Sequence, residues 1–87
     1  MSEKVLERAI QTTITMEELG ELSQALGKYV RYLLDDETLR KNIIDIHYMI
    51  IEEIADIEIC LDKFKKMNRI EQFEIDKVKR YKKDRIK

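Results

Sequence analysis

Apolar residues recur along most of this chain at intervals of three and four, the spacing of one face of an α-helix. Leu6, Ile10, Ile14, Leu22, Leu26, Tyr29 and Leu33 mark a first helix that starts near Ser2, a natural N-cap, and runs to about Leu34. Gln11-Thr12-Thr13-Ile14-Thr15 is β-branched and weakly helical, so a kink or break ahead of Glu17 is allowed. Asp35-Asp36-Glu37 reads as a turn in which either Asp can cap the next helix. That second helix follows Leu39, Ile43, Ile46, Ile50 and Ile57 to about Met67. A break near Asn42 or Asp45 would set Glu37 to Ile44 apart as a short helix of its own. Asn68-Arg69 can end it, because Asn tolerates the left-handed conformation of a helix terminus. A last helix spans about Glu71 to Arg85, with a narrow apolar seam of Phe73, Val78 and Tyr81 suited to packing on a bundle or a partner chain.

Two acid pairs interrupt the apolar stripes. Glu18-Leu19-Gly20-Glu21 and Glu53-Ile54-Ala55-Asp56 each place carboxylates three residues apart. At about 100° per residue, Glu53 shares its side of the helix with Ile46, Met49, Ile57, Cys60 and Phe64, whereas Glu52 and Glu58 point outward. Glu18 projects beside Ile14, Leu22 and Ala25, with Glu21 on the flank of that stripe, while Glu17 falls on a wet face with Gln24, Lys28 and Arg31. Gly20 lies between the two inward acids of the first helix, where its helical cost of about 1 kcal/mol relative to Ala predicts close approach of another backbone or a ligand.

Buried carboxylates are costly unless they are paired, protonated or bound to a cation, and four that meet in one bundle also repel one another. A divalent cation removes both penalties. Glu and Asp without His or Cys suit Mg²⁺, with Mn²⁺ as a substitute, better than zinc. Acid pairs on two antiparallel helices converge on one volume and leave room for a phosphate and a water, an arrangement suited to hydrolysis of a phosphoanhydride. Glu21 or Glu53 is then the candidate general base.

Composition narrows the class. With 87 residues, no Pro and only two Gly, the chain is expected to be a single all-α domain over 1–87, a bundle of three to four helices. A domain of this size buries only roughly 60% of its unfolded surface, so completion of the core as a homodimer or homotetramer is expected. No apolar run approaches the ~20 residues that span a bilayer, and Met1-Ser2-Glu3-Lys4 leads into an amphipathic helix rather than a signal sequence, so a soluble cytoplasmic protein without a membrane partner is expected. Cys60, the only cysteine, lies in the Glu53 stripe and is expected as a buried small hydrophobe. His47 reads as a core or interface histidine.

The net charge of −1 conceals a polarity: residues 1–76 carry 10 basic and 17 acidic side chains, and residues 77–87 carry 7 basic side chains against Asp84 alone. The basic C-terminal helix, about 71–87, can be an ordinary solvated helix end or a contact for polyanions.

Glu17-Glu18-Leu19-Gly20-Glu21-Leu22, followed by Glu53-Ile54-Ala55-Asp56-Ile57, resembles the EExxE…ExxD signature of the MazG-like all-α nucleotide pyrophosphohydrolases, over about residues 5 to 66. The resemblance implies Mg²⁺-dependent cleavage of a nucleoside triphosphate between its α and β phosphates, giving a monophosphate and pyrophosphate. It carries Glu18 and Glu21 over as the first metal pair and Glu53 and Asp56 as the second, with Glu17 an accessory. The spacer of residues 22–52 is longer than that family's usual one. The family also presents basic residues from its C-terminal region to the phosphates, which makes Lys77, Arg80, Lys83 and Arg85 candidates, together with Lys28 on the Glu21 side of the first helix. Two other classes remain: a noncatalytic helical interaction module whose acids fix register between helices, and a nucleic-acid binder using the basic tail. The tail holds one aromatic and no recognisable DNA- or RNA-binding motif, so nucleic acid is not the expected partner.

Overall fold

The computed structural model describes residues 2–34 and 43–85, and within them the chain is all-α: α1 (Glu3–Leu33), α2 (Ile43–Met67) and α3 (Gln72–Arg85). No strand occurs among the described residues, and no helix there is long and apolar enough to cross a membrane. The proposed turn at Asp35-Asp36-Glu37, its capping role and most of the alternative short helix lie outside the described residues.

Ser2 caps α1 as expected, accepting a hydrogen bond from the Val5 amide at 3.2 Å, and the Ser2 carbonyl receives the Leu6 amide. The weakly helical Gln11–Thr15 segment does not break the helix. The hydroxyls of Thr12, Thr13 and Thr15 donate to the carbonyls of Arg8, Ala9 and Gln11, four residues back, so the threonines bond onto the helix instead of competing with it. No break occurs at Asp45, which lies within the first turn of α2.

α1 and α2 pack antiparallel. The Tyr29 ring meets the His47 ring at 5.7 Å near one end, while Lys4 and Met67 line one cleft at the other. The α2 side of this seam follows the expected stripe: Ile46, Ile57 and Cys60 are buried, with Met49, Glu53 and Phe64 half-buried between them. The α1 side departs from its apolar pattern. Leu6, Ile10, Ile14, Leu26 and Leu33 are exposed, and the seam runs instead through Gln11, Thr15, Glu18, Leu22, Ala25 and Tyr29, of which Thr15 and Ala25 are buried. These six follow the 3–4 spacing as regularly as the leucines do, but half of them are polar. His47 is exposed apart from its ring contact.

α2 ends where expected, by a different residue. Arg69, not Asn68, takes the left-handed conformation (φ 56°), and the Ile70 amide bonds to the Lys65 carbonyl at 2.9 Å in the six-to-one pattern of a Schellman motif. Asn68 contributes through its side chain, whose amide donates to the Phe64 carbonyl. Glu74 reaches back to the Glu71 amide at 3.2 Å and starts α3. Beyond a Lys65–Gln72 side-chain hydrogen bond at the junction, α3 packs on neither α1 nor α2, and its expected seam of Phe73, Val78 and Tyr81 is exposed.

Candidate metal centre

The antiparallel register brings Glu18 of α1 to face Glu53 of α2, and one turn further along α2 Asp56 joins them. One carboxylate oxygen from each of the three lies within 4.8 Å of the others. The surroundings grade from apolar to wet. Glu18 and Glu53 are half-buried, held in the seam by the same periodicity that buries Thr15 and Ala25 on α1 and Ile46, Ile57 and Cys60 on α2, whereas Asp56 is exposed. The cluster is therefore closed on its seam side and open beside Asp56.

Oε2 of Glu18 and Oε2 of Glu53 are each shut off from solvent with no hydrogen-bond partner. Such oxygens are uncommon in a folded chain because each forfeits its hydration without replacement. The electrostatics agree. Burial pushes the Glu18 carboxyl up from 4.5 to about 7, aided by the charges of Glu21 and Asp56 and by the hydrogen bond it donates to Glu53 when protonated. Glu53 is raised as well, first by burial and then by the charge of Glu21. The hydrogen bond accepted from Glu18 offsets part of that rise. Both shifts favour a proton on this pair.

Glu21 stands differently from the sequence expectation of an equal fourth ligand. It is exposed and lies outside the three-residue group, yet its charge acts on both Glu18 and Glu53, and it hydrogen-bonds with Glu53. It borders the cluster rather than entering it. Glu17 is exposed, as its projection predicts. Gly20 gives no close approach within the chain, since a Cβ there would meet nothing within 4 Å.

The donor set fits a hard divalent cation. All the candidate ligands are carboxylate oxygens within 4.8 Å of one another, and two of the three residues carry a buried oxygen without a hydrogen-bond partner. The candidate phosphate contacts are not gathered there. Lys28 is half-buried on α1, two turns past Glu21, whereas Lys77, Arg80, Lys83 and Arg85 are exposed on α3, which stands off from the helix pair. Arg85 lies over the Tyr81 ring at 5.5 Å.

Sequence reasoning passed over Gln11 and Thr15, which share the seam with Glu18 two turns and one turn earlier. Thr15 is buried and receives a hydrogen bond from the Gln11 side chain at 3.4 Å. The available signal was their spacing of seven and three residues before Glu18, which places them on its face. Compared with family models, with curated proteins and with solved structures, the chain matches none.

Proposed function

We propose that this protein is a Mg²⁺-dependent nucleoside triphosphate pyrophosphohydrolase whose metal site is built by Glu18, Glu53 and Asp56 with Glu21 at its border. The observation that carries the reading is the pair of buried, partnerless oxygens on Glu18 and Glu53 beside Asp56, a cost that a helix pair has no packing reason to bear. Mg²⁺ bound there would neutralise phosphate charge and lower the barrier to attack at phosphorus. The remaining roles belong to the chain. Glu18 and Glu53 hold their carboxylates fixed in the seam, and Asp56 lies at the open side from which a triphosphate approaches. Glu53 or Glu21 accepts the proton of the attacking water as its oxygen bonds to the α-phosphorus. The α–β anhydride bond breaks, and pyrophosphate leaves with the bonding electrons, giving a nucleoside monophosphate.

The EExxE…ExxD resemblance supports the same assignment and adds the α–β position of cleavage. A panel of ribo- and deoxyribonucleoside triphosphates incubated with Mg²⁺ tests it, with pyrophosphate and orthophosphate measured separately. Pyrophosphate in step with monophosphate is the expected result, Mn²⁺ should substitute, and chelation should stop it. Orthophosphate as the first product, or no divalent-dependent turnover of any triphosphate, rejects the proposal.

A further inference from the structure

The cleft at the Lys4 and Met67 end of the helix pair has a volume of about 550 Å³, within the range that holds a small molecule. Lys4, Glu7 and Arg8 of α1 line it, with Met67 at the end of α2 and Arg69 of the joint to α3. Arg8 precedes Glu18 by ten residues and Met67 follows Asp56 by eleven, about 15 Å or more along either helix, so the cleft is separate from the acid cluster.

The charges of the cleft do not cancel. Three cations face one carboxylate, and none of Lys4, Arg8 and Arg69 makes a salt bridge or a side-chain hydrogen bond among the described residues. Lys4 and Arg8, four residues apart, share one face of α1. Arg69 joins them from the other side of the helix pair. The first two turns of α1 form one wall, so the positive end of that helix dipole adds to the excess.

Arg69 is held where the fold has no need of a guanidinium. Its left-handed backbone (φ 56°) is one that Gly adopts freely and Asn tolerates. The Ile70–Lys65 backbone bond fixes that conformation without the Arg69 side chain, which instead lines the cleft. Two guanidiniums and an ammonium around one volume suit phosphate oxygens, since Arg binds them through paired N–H donors and Lys as a point charge. With Glu7 subtracted, three cations leave a surplus of two positive charges. A single carboxylate meets half of that surplus, whereas a diphosphate meets all of it. Met67 is the one apolar side chain of the lining, so the cleft favours a compact charged group over an apolar ligand. We infer that this cleft binds the diphosphate group of a small molecule, independently of the acid cluster and of any metal there.

Titration of the full chain with inorganic pyrophosphate in EDTA tests the inference, because without a divalent ion the acid cluster repels anions. Calorimetry should give one site per chain with a Kd of about 1 mM or below, and acetate at the same concentration should not compete. The NMR amide signals that move should be those of Lys4, Arg8 and Arg69, not those of Glu18, Glu53 or the cations of α3. A parallel titration with ADP tells a free diphosphate from an esterified one by which of the two binds more tightly. Arg8→Gln should weaken binding roughly tenfold, the loss of one charge-assisted pair. Arg69→Gly should weaken it as much while keeping or raising Tm, because Gly suits that backbone; an arginine with a merely structural role would lower Tm and leave binding alone. Absence of saturable binding by both ligands, binding that both variants leave unchanged, or shifts confined to α3 or to the acid cluster overturns the inference.

Discussion

The two sides of α2 follow opposite plans. Toward α1, a carboxylate is held among Ile46, Ile57 and Cys60 with one oxygen cut off from every donor; away from α1, Ile44, Tyr48, Ile51 and Ile59 stand in water. Each side breaks an ordinary solvation rule, one by enclosing charge and the other by exposing apolar surface. The proposed cation would relieve the violation on the inner side.

The sharpest break between the sides should come from Glu53→Gln. It nearly preserves shape while removing the inward charge, so turnover of nucleoside triphosphates should fall at least ~10²-fold, the scale of losing a positioned proton acceptor, with helical circular dichroism intact and the metal-free protein no less stable at neutral pH. Wild-type-like turnover in this variant would sink the catalytic role of the inner side. Next in size is a paired truncation. Ile46→Ala should lower stability to denaturant by about 2–5 kcal/mol because it opens a cavity in the seam, whereas Ile59→Ala, on the exposed side of α2, should stay within about 0.5 kcal/mol. Equal losses would erase the distinction between the two sides.

A third measurement is thermal. At neutral pH, Mg²⁺ at about 100 times its Kd should stabilise the chain by about 2.7 kcal/mol and raise Tm by at least about 10 °C. The Glu18→Gln, Glu53→Gln double variant should show no such rise; an equal rise there would place the ion elsewhere. The smallest effect concerns protons. Glu18 ionises near pH 7 when folded and near 4.5 ordinarily, so between those values the folded chain binds more protons than the unfolded one. Its contribution to stability is full below about 4.5 and is lost as pH rises through 7, and Glu53 shifts in the same direction. The metal-free protein should melt a few degrees higher at pH 5 than at pH 7.5, and Glu18→Gln should flatten that difference. A wild-type profile that rises with pH across this interval would contradict a proton on that pair.

Much of this inner side was legible in the residues alone. Glu53 occurs at spacings of four and seven from Ile57, Cys60 and Ile46, and no rotation of a regular helix buries those three without turning Glu53 inward. Glu18 was placed correctly with Ala25 and Leu22, although the full α1 seam was not. Leu6, Ile10, Ile14, Leu26 and Leu33 are the most apolar series there, and hydrophobicity alone selects them over Gln11 and Thr15. The seam goes through the polar series, which includes Glu18, and one helix orientation cannot bury both series. Glu21, at the flank of the projection, was read as a ligand where the structure puts a border charge. The end of α2 was found while its left-handed residue was misassigned, since the Schellman bonds fix a position in the chain and Arg69 happens to occupy it. Nothing in the spacing of Phe73, Val78 and Tyr81 reveals that α3 leaves the helix pair, because periodicity reports which residues share a face and not what lies opposite.

The joint at Arg69 has a mechanical consequence. α3 is 14 residues long, about 21 Å from end to end, and its heading relative to α2 is set across a link of only four residues, one of them left-handed. Turning that link by ~20° would swing the far tip by roughly 7 Å, so the backbone at this joint sets where the six cationic side chains of α3 stand.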